Sequence, residues 1–146
     1  MVKEIKGVYR KKIKKWYKEF KIKIENNAHL TQALPKFRNI DFYINSDADP
    51  FARCYINSME IEIAKDFLEA FGDKEDCVKF MLTHEFCHFL VLGHGKDFSN
   101  LMRQAGYTED WLWNYTDRKY DWEFFQSRYS NDKVVNPLNE NVWCIK

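Results

Sequence analysis

The sequence predicts an α+β fold in which a small sheet containing antiparallel strands packs on a long helix, with further helices around it. Three observations lead to this prediction. The N-terminus has the apolar spacing of an amphipathic helix, and a second unbroken segment in the middle of the chain has helix-ending signals at its boundaries. Between them lie short apolar runs bounded by Asn, Ser, Asp and Pro, which are typical of strands and turns. Because 45% of the 146 residues are hydrophobic, the chain can bury a substantial core.

The N-terminal segment from Val2 to Phe20 has the pattern of a helix with one apolar face. Its apolar positions are three or four residues apart, and they are Ile5, Val8, Tyr9, Ile13, Trp16, Tyr17 and Phe20. The alternation of lysine and isoleucine over residues 21–24 either continues this helix or begins a strand. Residues 1–24 carry ten basic and two acidic residues, so contact with nucleic acid would start at this basic amphipathic helix. A solvated helix face is the more common explanation of such lysines.

Three strands are predicted in the middle of the chain. Ile40–Ile44 forms the first, and the polar cluster Asn45–Pro50 ends it. The runs Arg53–Asn57 and Glu60–Ile63 are expected to pair across a short turn. These segments together predict a small sheet that contains antiparallel strands.

Two further helices are predicted after the sheet. The first runs from Lys74 to Leu92, with Asp73 as its N-cap, and Gly93 ends it. The second runs from about Lys96 to Ala105 and is capped by Gly106. The C-terminal third is rich in aromatic residues, and we expect short helices there that pack on the core.

The chain length favours one domain over residues 1–130, followed by a polar tail over residues 131–146. No apolar stretch approaches the roughly 20 residues that a membrane span requires. The four cysteines are widely spaced and form no C-x-x-C pair, which argues against a disulfide scaffold and against a cysteine-ligated zinc ribbon. We therefore expect a soluble cytoplasmic protein with reduced thiols and no membrane partner.

Three of the four histidines lie within eleven residues of the sequence. His84 and His88 are four residues apart, so they share one face of the predicted helix and can hold one ion between them. Glu85 lies beside that ion, where it can accept a proton from a zinc-activated water. A catalytic zinc has three protein ligands and an open position for water. Gly93 breaks the helix directly before His94, which lets His94 approach the same ion as the third ligand.

The residues around these histidines resemble the metal-site signature of a known family, the SprT-like and YgjP-like minimal zinc metallopeptidases. They read H-E-F-C-H, then a histidine followed by glycine, and an aromatic residue, Phe98, four residues after that histidine. The strand pair Arg53–Ile63 is also similar. The resemblance implies a zincin-like fold and a hydrolase that cleaves peptide bonds in protein or peptide substrates. It assigns Glu85 as the catalytic base, Phe98 as an anchor of the next helix in the core, and as Zn²⁺ ligands His84, His88 and His94.

The resemblance covers about residues 40–106. Many SprT-like proteins carry a cysteine-ligated zinc ribbon after the peptidase core, whereas Cys144 is the only cysteine downstream here. Action on DNA-associated proteins is implied by the resemblance alone. Its expected physical basis is a weak DNA contact through the basic N-terminal helix.

Two alternatives remain open. One is a non-catalytic binding module whose zinc site is structural or vestigial. The other keeps the enzyme but replaces His94 as the third ligand by Glu109, in the manner of gluzincins. Tyr107, Tyr115 and Arg118 are candidates, by position, for stabilising the oxyanion of a peptidase reaction.

Three residues are interpreted structurally. Cys87 lies inside the histidine motif, but the buried side of that helix favours a small apolar residue, so we expect packing and no ligation. Met102 is expected to lie on the second helix with its side chain in the protein core. His29 stands alone in the sequence, as a surface residue or a satisfied core residue.

Overall fold

The computed structural model describes residues 2–5, 8–25, 28–45, 52–65, 67–68, 75–108 and 111. These residues form an α+β architecture, which confirms the predicted class. The elements in chain order are β1 (Val2–Glu4), α1 (Val8–Lys23), α2 (Ala28–Ala33), a 3-10 helix (Phe37–Asn39), β2 (Asp41–Asn45), β3 (Ala52–Tyr55), β4 (Glu60–Ala64), α3 (Glu75–His88) and α4 (Lys96–Gln104).

The strands form one mixed sheet in the order β1-β2-β4-β3. β3 and β4 form the predicted antiparallel hairpin, with Tyr55 opposite Glu60. β2 lies parallel to β4, with Asp41 also opposite Glu60. This parallel pairing was not predicted, because apolar alternation within a strand does not specify its neighbours or their direction. The arrangement leaves β3 at one edge of the sheet.

The prediction of a helix from Val2 onward was wrong at its start. Residues Val2–Glu4 form β1, which pairs antiparallel with β2, and the helix begins at Val8. The amide of Ile5 then donates to the carbonyl of Phe42 at 2.8 Å. The backbone hydrogen bonds of this segment are therefore made with a strand about 40 residues away in the sequence. The spacing of apolar residues within so short a segment cannot reveal such a partner.

The alternating lysines and isoleucines continue α1, which ends at Lys23. Ile24 follows Phe20 by one helical turn and is fully buried, whereas Ile22 is exposed. The period of a helix therefore decides which isoleucine reaches the core.

α3 lies at the centre of the fold. Eleven of its 14 residues are buried, and the helix contacts α1, α4 and β3. Phe86 packs against Tyr17 of α1, with ring centroids 4.9 Å apart, and against Phe20 at 5.7 Å. The helix is therefore held from several sides, which fixes the positions of its side chains.

The predicted end of this helix at Leu92 was four residues too late, because α3 ends at His88. The amide of Phe89 donates to Phe86 at 3.1 Å and that of Leu90 to Cys87 at 3.0 Å. These bonds span three residues and tighten the last turn. The predicted N-cap, Asp73, lies outside the described residues.

The sequence predicts that α4 ends at Ala105, and the helix ends one residue earlier, at Gln104. Gly106 has a φ of +101°, and its amide donates to Arg103 at 3.0 Å. The amide of Tyr107 donates to Met102 at 2.9 Å. These two bonds form a Schellman motif, in which glycine takes the left-handed position.

The remaining sequence predictions about the fold concern the C-terminal part of the chain. Apart from residue 111, the aromatic-rich region after residue 108 and the tail over residues 131–146 lie outside the described residues. Among the described helices, none has the length and apolar character needed to cross a membrane.

Candidate metal centre

The two histidines on α3 point to the same place. His84 and His88 are one helical turn apart and both are buried. Their Nε2 atoms are 3.3 Å apart. Two ring nitrogens at this separation can bind one metal ion from the same helix face.

His94 completes a triangle with them. Its Nε2 atom is 3.1 Å from that of His88 and 3.3 Å from that of His84. A tetrahedral zinc with bonds of about 2.0–2.1 Å places neighbouring nitrogens about 3.3 Å apart. The three atoms therefore have the spacing of a metal site, and in the described part of the chain no other group of three or more His, Cys, Asp or Glu residues has comparable proximity.

Gly93 does not end α3, so that part of the prediction was wrong, but Gly93 does turn the chain directly before His94. Its φ of +75° is in the left-handed region, which a residue with a side chain adopts only at a cost. The turn at Gly93 brings the chain back toward α3 after the loop that follows His88. The early end of α3 shortens the helix, but it leaves this function of the glycine intact.

The protonation of His88 follows from its second hydrogen bond. Its Nδ1 atom lies 3.0 Å from the carbonyl oxygen of Val91. Because a carbonyl can only accept, Nδ1 carries the proton and Nε2 presents its lone pair to the centre of the triangle. Metal-binding histidines in proteins are commonly held by such a bond. The sequence could not reveal it, since it depends on where α3 ends.

Phe98 forms a wall behind all three imidazole rings. It stacks on His88, with centroids 4.6 Å apart and planes at 18°, and it meets His84 edge-on at 4.7 Å. The corresponding distance to His94 is 5.1 Å. Phe98 is buried, which confirms its predicted place in the core. Its contact with the imidazole rings was not foreseen.

Burial favours the neutral form of the helical histidines. It lowers the pKa of His84 well below 6.5, with further lowering by His88 and His94. The pKa of His88 is lowered to about 4 by burial and by His94, against the opposing hydrogen bond to Val91. Neutral imidazole is the form that binds metal, so protons compete weakly at this site.

Glu85 is fully buried, and it lies on α3, which contacts β3. Burial is the main cause of the raised pKa of the Cys54 thiol, and the charge of Glu85 is the second. The same two causes raise the pKa of Cys87. Glu85 therefore lies near Cys54, which belongs to the edge strand β3. Burying a carboxylate is unfavourable unless opposite charge or hydrogen bonds compensate for it, and a neighbouring metal cation would provide that charge.

A cavity of about 570 Å³ is lined by both His88 and Cys54. One side is formed by residues 54–58, at the end of β3 and in the turn that follows. The other is formed by residues 88–90 and by Leu92. Because His88 lines it, the cavity lies beside the histidine triangle. β3 and its turn were predicted as structure, but their place at the site was not.

Three other expectations are confirmed. The thiol of Cys87 is fully buried and lies 3.5 Å from the sulfur of Met102. This contact between two core residues supports packing as the role of both. His29 is exposed, so it is a surface residue.

Of the three proposed oxyanion residues, Tyr107 lies among the described residues, and it does not join the site. Tyr107 is buried against Phe80 and Trp111, with ring centroids at 5.2 Å and 4.9 Å. Burial raises its pKa to about 12, while a hydrogen bond with Thr83 opposes that change. These contacts make Tyr107 a core residue. The other two oxyanion candidates, Tyr115 and Arg118, lie outside the described residues, and so does Glu109, the alternative third ligand.

Comparisons with protein-family models, with curated proteins and with solved structures found no match.

Proposed function

We propose that this protein is a zinc-dependent metallopeptidase that hydrolyses peptide bonds in protein or peptide substrates. The observation that carries the proposal is the triangle of Nε2 atoms formed by His84, His88 and His94, with sides of 3.1–3.3 Å. The proposal includes a zincin-like fold, a SprT-like or YgjP-like relationship and a cytoplasmic location. All three come from the sequence patterns described above.

The donor set favours zinc. Three imidazole nitrogens with an open fourth position are a common arrangement for catalytic zinc, and nitrogen donors disfavour magnesium and calcium, which bind oxygen. Bound zinc would supply Lewis acidity, which acidifies water and polarises a carbonyl group. The hydrogen bond from His88 to Val91 and the wall of Phe98 would hold the ligands ready for the ion.

Glu85 is the proposed general base. Its position directly after His84 would put it next to the proposed metal ligands without making it one of them. Its carboxylate would take a proton from the attacking water, hold it in a buried environment, and pass it to the leaving amine. The fully buried position limits exchange of that proton with solvent.

The substrate would lie along β3. This strand is at the edge of the described sheet, and its end borders the cavity that His88 also lines. An extended peptide can add to such an edge by main-chain hydrogen bonds, with little dependence on sequence. This mode of binding suits unfolded segments of protein substrates.

The Glu85→Gln variant tests the proposal. We expect hydrolysis of an unfolded protein such as casein to fall by about 10²–10⁴-fold, because the general base is lost. Zinc content, measured by mass spectrometry of the purified protein, should stay at one ion per chain. The matched control is Glu25→Gln, at an exposed position in the turn after α1, which should keep full activity. Absence of stoichiometric metal, or full activity of Glu85→Gln, would refute the proposal.

The same measurements address the two alternatives. A non-catalytic module would bind zinc and show no turnover that depends on Glu85. If Glu109 were the third ligand in place of His94, then Glu109→Ala would lose zinc and His94→Ala would keep it. The triangle predicts the reverse.

A weak DNA contact through α1 is a second part of the proposal, and it would bring the peptidase to DNA-associated proteins. Five lysines of this helix line a surface groove of about 470 Å³ together with Tyr17 and Phe37. Their positive charge would attract phosphates in a salt-dependent way. The lysines in question are Lys11, Lys14, Lys15, Lys18 and Lys21.

Fluorescence anisotropy of labelled DNA tests this contact. Replacing Lys11, Lys14 and Lys15 by Gln should weaken binding and reduce its dependence on salt concentration, because fewer counterions are released. Lys96→Gln, on α4, is the control and should change little. Lack of DNA binding at low salt would remove this part of the proposal and leave the peptidase untouched.

A further inference from the structure

We infer that the cavity beside His88 is a substrate subsite that accepts a large apolar side chain next to the scissile bond. This inference rests on the proposed peptidase function and names the substrates that the site would prefer. It assigns specificity to residues of the turn after β3 and of the loop after α3.

The lining of the cavity is the first reason. In the described part of the chain, no carboxylate, lysine or arginine contributes to its wall. Ile56 lies on one side, and Phe89, Leu90 and Leu92 lie on the other. Side chains of this kind bind apolar groups by removing them from water. Asn57 and Ser58 also line the cavity, but both are neutral, so a charged substrate side chain would lose hydration here without meeting an opposite charge.

The exposure of these residues is the second reason. Six large hydrophobic residues are exposed in the described part of the chain, and three of them line this one cavity. They are Tyr55, Ile56 and Leu92, and Leu92 is 78% exposed. Apolar residues gathered at the surface around a concave site indicate binding of an apolar ligand.

The third reason is the position of the cavity relative to the reacting groups. His88 belongs both to the cavity wall and to the histidine triangle. Cys54, also in the wall, belongs to β3, and β3 contacts α3, the helix that carries His84 and Glu85. A peptide with its scissile carbonyl at the triangle would therefore place an adjacent side chain in this cavity. A volume of about 570 Å³ has room for leucine or phenylalanine.

The loop after α3 connects this subsite to metal binding. Leu92 precedes Gly93, which has a φ of +75° and directly precedes His94. The turn that carries the third candidate ligand to the triangle thus also sets the position of a specificity residue. Leu92 is an exposed position, so it can be changed with little risk to folding.

The first experiment measures cleavage of a peptide series by the zinc-loaded protein. The peptides differ only at the two positions beside the scissile bond, which carry leucine, phenylalanine, alanine or glutamate. We expect kcat/KM at one of these positions to be about tenfold or more higher for leucine than for alanine, from burial of the larger side chain. Glutamate should be the poorest residue at that position.

Variants then assign the preference to the cavity. Leu92→Ser and Ile56→Ser should each lower the leucine-to-alanine ratio by about threefold or more, because apolar contact area is lost. Turnover of the alanine peptide should change less than the ratio does. The matched control is Ile22→Ser, which removes an exposed isoleucine of α1 outside the cavity, and it should leave the ratio unchanged.

A binding measurement separates failure of this inference from failure of the proposed function. The same peptides, fluorescently labelled, are titrated with zinc-loaded Glu85→Gln protein, which needs no turnover. Preferential binding of the leucine peptide that is lost in Leu92→Ser supports the subsite even if the wild type cleaves nothing. Glu85-dependent cleavage without any apolar preference at either position overturns the subsite and leaves the peptidase standing.

Discussion

α1 and α3 pack against each other in one core, yet they differ in where their polar residues lie. α1 buries an apolar face and exposes most of its lysines. α3 is buried on nearly every side, and its residues 83–88 contain every polar or charged residue that is buried in the described part of the chain. These four residues are Thr83, His84, Glu85 and His88.

This difference shows that the free-energy cost of removing polar groups from water is concentrated on α3. Exposed lysines remain hydrated, so their placement costs little. Buried imidazoles and a buried carboxylate lose hydration, and such groups occur mainly where a partner or a function compensates. Changes around α3 should therefore have large effects, and changes on the lysine face of α1 should have small ones.

The largest expected effect on stability is that of Phe98→Ala, because the ring is buried and contacts all three histidines. We expect the free energy of unfolding to fall by about 3–5 kcal/mol, measured by urea denaturation. Phe98→Leu is the control: it should retain most of the stability but lower zinc affinity by about tenfold, since the stacked wall is gone. A loss below about 1 kcal/mol for Phe98→Ala would mean that the wall is dispensable.

Acidic pH should lower the free energy of unfolding of the metal-free protein, because the buried histidines have lowered pKa values. In the unfolded chain His88 takes up a proton as pH falls through 6.5, whereas in the folded chain its pKa is about 4. Between these values the unfolded state binds more protons, so the free energy of unfolding falls as pH falls. The contribution of His88 is about 2–3 kcal/mol over this window.

Urea denaturation at pH 7, 6, 5 and 4 measures this effect. The His88→Asn variant should show a shallower loss of stability than the wild type. His29→Gln, at an exposed position, should follow the wild-type curve. Equal slopes for the wild type and His88→Asn would contradict the burial argument.

Two glycines between α3 and α4 differ in backbone conformation, and we expect a smaller loss of stability when they are replaced. Gly93 has a φ of +75°, whereas Gly95 has a φ of −79°, and an added Cβ would meet no atom within 4 Å at either. Gly93→Ala should therefore cost about 1–2 kcal/mol through backbone strain alone, with weaker zinc binding at the adjacent His94. Gly95→Ala should cost much less. Equal unfolding midpoints in urea for the two variants would show that the turn at Gly93 is not required.

The smallest effect is expected on the lysine face. Lys14 and Lys18 are exposed, and their replacement by Gln should change the free energy of unfolding by less than about 0.5 kcal/mol. Zinc content should be unchanged. A large loss of stability in this double variant, measured in the same urea assay, would remove the contrast between α1 and α3.

The sequence predicts those parts of the fold that local signals determine. The hairpin of β3 and β4, the end of α4 at Gly106 and the turn at Gly93 all follow from residues close together in the chain. The strand at Val2–Glu4 and the parallel pairing of β2 with β4 do not. Both depend on a partner strand distant in sequence, and no local pattern specifies it.

The candidate site divides in the same way. The three histidines could be identified because two share a helix face and a glycine precedes the third. The hydrogen bond from His88 to the Val91 carbonyl and the cavity between β3 and Leu92 could not. The first depends on an early helix end, and the second on how an edge strand packs beside α3.

X-ray absorption at the zinc edge, on purified zinc-loaded protein, tests the central claim most directly. The triangle of His84, His88 and His94 predicts one zinc per chain with three imidazole nitrogens at about 2.0–2.1 Å. It also predicts the absence of sulfur ligands, because Cys87 packs against Met102. A sulfur shell at about 2.3 Å, fewer than three imidazoles, or no stoichiometric zinc would contradict the account.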